Sequence, residues 1–156
     1  MIPIQHIHPM LVHFPIVLVF ALGLFDLAAT IRGASVTGRT AVGNVSTSIA
    51  VLAALAAAAA YYFGGLALTF AEDSGFSSEV AETHESLGQM VAVGLAIWAV
   101  VRAILWWRNT KVSSPLAYAF PVVAIGFAGL VAYTAYFGGQ LVFDLGVNVA
   151  KATAGA

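Results

Sequence analysis

The chain has 156 residues, of which 61% are hydrophobic and only 8% charged, against roughly 25% charged in an ordinary soluble domain. Six basic and seven acidic side chains cannot cover the surface of a soluble protein of this size, and a net charge of −1 offers no field to a polyanion, so a soluble globular enzyme and a nucleic-acid binder are both excluded. The absence of cysteine excludes disulfides, iron–sulfur clusters, thiolate zinc sites and covalently attached c-type haem. A small integral membrane protein in contact with the lipid bilayer remains.

A spanning helix needs about 20 mostly apolar residues, and four stretches qualify. The first runs from about Pro9 to Ile31, too long for a cleaved signal peptide and without a basic segment before it, so it is read as retained. The second runs from about Val42 to Phe70, long enough to tilt or project. The third covers about His84 to Trp107 and the fourth about Leu116 to Phe143. The Ala-rich run from Ala53 to Ala60 lacks the alternation of a barrel strand. Short polar connections make neighbouring helices antiparallel. The expected fold is therefore all-α: one transmembrane domain over 1–156, an integral membrane four-helix up-and-down bundle.

Arg32 and Arg39 lie between helices one and two, and Arg108 and Lys111 between helices three and four, with Arg102 just inside. Only Lys151 is on the other side. The positive-inside rule puts both short loops in the cytoplasm and both termini outside, on the periplasmic face of a bacterial inner membrane. Glu72, Asp73, Glu79, Glu82, Glu85 and Asp144 fall on the outer side, and only Asp26 belongs to the inner half. Asp26 is read either as a partner of Arg102 in an inner hydrogen-bond network or as an interfacial residue. Trp106 and Trp107 suit the inner aromatic belt. Tyr61, Tyr62, Tyr133 and Tyr136 suit belt or packing positions.

Helix two ends Tyr62-Phe63-Gly64-Gly65 and helix four ends Tyr136-Phe137-Gly138-Gly139, 74 residues later. Helices one and three each begin with histidine. The chain thus reads as two helical hairpins related by a pseudo-two-fold axis along the membrane normal. Gly64, Gly65, Gly138 and Gly139 allow close helix packing, and they also leave room for a flat macrocycle.

All four histidines fall on the outer side. Ionisable groups inside spans point to function by default. With Ser78 as N-cap of helix three, His13 and His84 lie at similar depth. His8 and His13 are five residues apart, so on a regular helix they differ by about 140° and do not share a face. Pro9 suits the first helical turn, whereas Pro15 frees the carbonyl of Leu11 and kinks the helix. The pair expected to hold a cofactor is therefore His13 with His84, with His8 or His6 as second choice. Two imidazoles from two helices can ligate haem b axially, or hold a copper, zinc or iron ion with help from Glu82, Glu85 or Asp144.

The opening His8-Pro9-Met10-Leu11-Val12-His13-Phe14-Pro15-Ile16 resembles the HPxxVHFPI motif of a bacterial family of small four-helix membrane proteins of unknown function. The family's single histidine at the start of helix three is matched by His84. Its closing GGxLVxxxGVxV motif is matched from Gly138 to Val149. The resemblance covers most of the chain. One departure falls at Phe63-Gly64-Gly65-Leu66-Ala67-Leu68, where members usually show Gly-Leu-x-Asp. Some relatives look fused to Rieske or cytochrome modules, which implies respiratory electron transfer.

These readings lead to a b-type haem protein acting in electron transfer on the periplasmic side, a subunit rather than a stand-alone enzyme. A second haem near the inner face is not expected, because no histidine lies there. The partner would be a redox protein, a quinone or a larger membrane complex, with homo-oligomers left open. A metal-ion protein and a cofactor-free anchor subunit of a respiratory complex are the alternatives.

Overall fold

The computed structural model describes residues 3, 6–112, 115–147 and 149; Asn148 of the C-terminal motif and Lys151 lie outside them. Helix α1 spans Ile7–Ile31, α2 Ala41–Asp73, α3 Glu79–Trp107 and α4 Leu116–Phe143, and each is long and apolar enough to cross a membrane. Helix α1 is built of two segments, Ile7–Leu11 and His13–Ile31. The first turn of α4, Leu116–Tyr118, is a 3-10 turn.

The ends of α2 and α3 lie beyond the apolar stretches because capping, not hydropathy, sets them. Ser78 is extended and its hydroxyl accepts from the Val80 N–H at 3.2 Å, while Glu79 and Glu82 occupy the first turn of α3. Acidic groups there oppose the positive end of the helix dipole. Thr40 caps α2 by accepting from the Gly43 N–H at 2.9 Å.

Helix α1 packs against α2 and α4, and so does α3; α1 and α3 face each other across the diagonal of the bundle, as α2 and α4 do. The inward positions of α1 are His8, Val12, Pro15, Val19, Leu22 and Asp26. Those of α3 are His84, Gly88, Val91, Leu95, Trp98 and Arg102. Both sets step by four and three in turn, the 3.5-residue repeat of left-handed bundles, and each α3 position lies 76 residues after its α1 counterpart. On α2 the inward row is Ser46, Ala50, Ala53, Ala57, Ala60 and Gly64, and α4 repeats it 74 residues later as Phe120, Ala124, Phe127, Val131, Thr134 and Gly138. The Ala-rich stretch is thus the packing face of α2. Lipid gives no hydrophobic drive between helices, so close contact through small side chains carries the association. Leu24, Leu52, Leu55, Ile97, Val100 and Val122 turn outward and are exposed, as lipid-facing residues are.

At one end of the diagonal, Asp26 and Arg102 form a buried ion pair, 0% and 1% exposed. Arg102 Nη1 lies 2.7 Å from Asp26 Oδ2. Ser46 donates to Asp26 and accepts from Arg102, and the Val36 carbonyl accepts from the same guanidinium at 3.3 Å. The rings of Trp98 and Phe120 stand 5.7 and 5.2 Å from Arg102 Cζ. Asp26 is therefore a partner of Arg102, not an interfacial residue. The two loops at this end are tied together: the Arg39 N–H donates to Asn109 Oδ1 at 2.8 Å, the Arg39 side chain to the Trp107 carbonyl at 2.8 Å, and the Val112 N–H to Thr37 Oγ1 at 3.0 Å. The opposite end is open, and the histidines are there.

Candidate functional site

The site begins with a break in α1. Pro15 has no N–H to give to the Leu11 carbonyl, and the helix is interrupted at Val12. The Val12 N–H still reaches the His8 carbonyl at 3.1 Å, and the Ile16 N–H reaches the Val12 carbonyl at 3.4 Å. The first turn lies against α2, and there His8 Nδ1 meets the Ala60 carbonyl at 2.8 Å. A carbonyl oxygen only accepts, so Nδ1 carries the proton and donates it, and Nε2 keeps its lone pair. His84, in the second turn of α3, does the same: its Nδ1 donates to the Thr134 carbonyl at 3.0 Å. The acceptors Ala60 and Thr134 are themselves equivalent positions of the two hairpins.

The two imidazoles face each other across the diagonal. Their ring centres are 6.1 Å apart and their planes cross at 84°. Both are half-buried. Each rests on a glycine. A methyl group on Gly64 would stand 3.0 Å from Cε1 and Nδ1 of His8, and one on Gly138 would stand 3.0 Å from Cε1 of His84. These distances are too tight for most side chains, so Gly64 and Gly138 let the Nδ1–Cε1 edges of the rings come close against α2 and α4. Gly65 and Gly139 differ: a methyl on either would meet nothing within 4 Å. They border a cavity of about 510 Å³ that opens beside the histidines between all four helices. That volume lies within the ~300–1,000 Å³ of small-molecule sites.

Sequence spacing favours His13 as the partner of His84; the structure instead sets His8 beside His84. His13 borders the same cavity from an exposed position one turn further along α1. His8 lies on the inward row of α1, and His13 reaches the same wide cavity from a neighbouring face of the helix, about 140° round. His6 is exposed, and it does not border the cavity. The signal that singles out His8 is the 76-residue offset, which relates His8 to His84 as it relates Asp26 to Arg102. The 74-residue offset of the glycine pairs holds for α2 and α4 only.

Tyr62, Tyr133 and Tyr136 are exposed at this end, as belt residues are, whereas Tyr61 is half-buried and borders the cavity. Glu72, Asp73, Glu79, Glu82, Glu85 and Asp144 are all exposed around the histidine end, and Arg32, Arg39, Arg108 and Lys111 are exposed at the other. Among the described residues, no group of three or more His, Asp or Glu side chains is placed to hold a metal ion. The expected help of Glu82, Glu85 or Asp144 to such an ion therefore does not assemble. What the site offers is a pair of anchored imidazoles with free Nε2 atoms, beside an apolar cavity.

Residues 5–151 match the model of a family described as a predicted membrane protein, DUF2231. The chain belongs to this family. It matches none of the curated proteins and none of the solved structures.

Proposed function

We propose that this member of the DUF2231 family is a membrane cytochrome of the b type, its haem iron held by His8 and His84. The observation that carries the reading is the facing of two equivalent imidazoles, each with Nδ1 tied to a helix carbonyl. Such an anchor fixes the tautomer and the ring orientation of a ligating histidine. Haem iron would be held by His8 and His84 from opposite sides, between rings whose centres stand 6.1 Å apart.

Ligand count favours haem over a bare ion. A zinc, copper or iron ion bound by protein side chains needs three or four donors in most sites. Haem brings four nitrogens of its own and asks the protein for one or two axial ligands. Bound there, it would supply a one-electron Fe(III)/Fe(II) couple. The protein's part is to fix both imidazoles, exclude water with Val12, Pro15 and Val91, and leave the propionates at the open end. No Lys or Arg among the described residues stands at that end.

Lys and Arg gather at the closed end, so the histidine end faces the periplasm and electrons are exchanged there. The partner is a soluble or membrane redox protein, or a quinone. The test is a visible spectrum of the protein purified in detergent from haem-replete cells. A Soret band with a sharp reduced α-band, lost in both His8→Ala and His84→Ala, is the expected result. A colourless protein carrying stoichiometric metal would overturn it.

A further inference from the structure

Most of the cavity wall is contributed twice, once by each hairpin. His8 and His84, Gly64 and Gly138, and Gly65 and Gly139 are the pairs already described. Pro15 and Val91 continue the match deeper in the bundle, as do Ala57 and Val131. A ligand between such walls lies on the axis that relates them. It meets a histidine and a glycine pair from each side.

The paired positions are not identical, and Tyr61 is the bulkiest departure among them. Tyr61 has Ala135 as its counterpart 74 residues later, and both border the cavity. The ring of Tyr61 packs against the main core cluster, and its Cδ2 lies 3.8 Å from where a Cβ on Gly88 would stand. Gly88 is one turn beyond His84 on α3. One side of the cavity therefore carries a phenol ring where the other carries a methyl group.

We infer that the two hairpins share a single planar ligand on their common axis, one face toward each histidine, and that Tyr61 decides which way round an unsymmetrical ligand sits. The inference rests on the haem reading for the identity of the ligand. Protohaem is two-fold symmetric about the line between its propionates except for its methyl and vinyl groups. Between identical walls its two orientations, a half turn apart about that line, would be equally populated. Tyr61, the bulkiest difference between paired positions, separates them most.

The experiment uses the full chain reconstituted with protohaem, and reads the haem-methyl resonances of the ferric protein by proton NMR. The wild type gives one dominant set and one minor set. Tyr61→Phe, which keeps the ring, leaves the ratio within twofold of wild type. Tyr61→Ala moves the ratio at least threefold toward 1:1. Tyr61→Ala combined with Ala135→Tyr carries the ring to the equivalent place on the other hairpin and inverts the ratio. A haem made symmetric about the propionate line gives one set in every variant. Haem uptake with a ratio that ignores all of these changes overturns the role of Tyr61 and leaves the cytochrome reading standing. Failure of the wild type to take up haem overturns both.

Discussion

Asp26 and Arg102 meet at 2.7 Å on positions that correspond in the two hairpins, as His8 and His84 do at the other end of the same diagonal. Equivalent residues face each other only at a two-fold axis. Two identical hairpins would set Asp against Asp, or Arg against Arg, in a medium that punishes unpaired charge. The fused chain carries opposite signs there, so each hairpin is matched to the other and mismatched to itself.

The ion pair should therefore behave as a unit. Asp26→Asn or Arg102→Met alone strands one buried partner, with an expected loss of ~3–5 kcal/mol. The exchange Asp26→Arg with Arg102→Asp should recover part of that loss, because the two positions are equivalent by the repeat. Thermal unfolding in detergent, followed by circular dichroism, measures this. Equal stability of all three variants would contradict it.

The histidines should not be interchangeable. His8→Ala and His84→Ala are each expected to lose haem or to leave it with one axial ligand, whereas His13→Ala should retain the low-spin spectrum. Reduced-minus-oxidised spectra distinguish these outcomes. Loss of the spectrum in His13→Ala with its survival in His8→Ala would restore the pairing favoured by sequence spacing.

The 84° angle between the ring planes carries its own spectroscopic expectation. Perpendicular imidazoles act equally on two iron orbitals and leave them nearly degenerate. Ferric haem held this way should show a strongly anisotropic low-spin EPR signal dominated by one low-field feature. A rhombic three-line signal would mean parallel rings, and thus another geometry.

Gly64→Ala and Gly138→Ala each place a methyl group 3.0 Å from an imidazole. Overpacking of this kind costs ~1–3 kcal/mol, and here it should displace the ligand rather than the helix. Weaker haem retention is expected for both, by similar factors. Gly65→Ala and Gly139→Ala, which meet no protein atom within 4 Å, should fold as the wild type does. Haem transfer to apomyoglobin gives the rates.

The orientation is open to chemical labelling, because the native chain has no cysteine. Glu82→Cys should react with a membrane-impermeant maleimide from the periplasmic side, and Lys111→Cys only after the inner membrane is opened. The reverse pattern would put the histidines in the cytoplasm.

The fold is legible in the sequence because a bilayer leaves few alternatives. Four apolar stretches of spanning length, short connections and segregated Lys and Arg suffice for a four-helix bundle. Hydropathy alone starts α3 too late, at His84, but the cap at Ser78 is legible and the structure bears it out. The site is half legible. His84 stands alone on its hairpin, but His8 and His13 compete on theirs. Choosing between them needs the place of the Ala60 carbonyl, which His8 meets and His13 does not. That is a consequence of packing. The role of the Ala-rich stretch is hidden for a related reason: alanines mark a contact face only when the row they share is known.

Between the ion pair and the histidines the diagonal carries Val12, Pro15, Val19 and Leu22 from α1, and Gly88, Val91, Leu95 and Trp98 from α3. The two polar ends are 18 residues apart on each helix, ~27 Å at 1.5 Å per residue, close to the full hydrocarbon thickness of ~30 Å. None of these inward residues is charged, so none relays a proton along the diagonal. The bundle should therefore be an insulator: in proteoliposomes it should leave a pH gradient and a membrane potential undiminished.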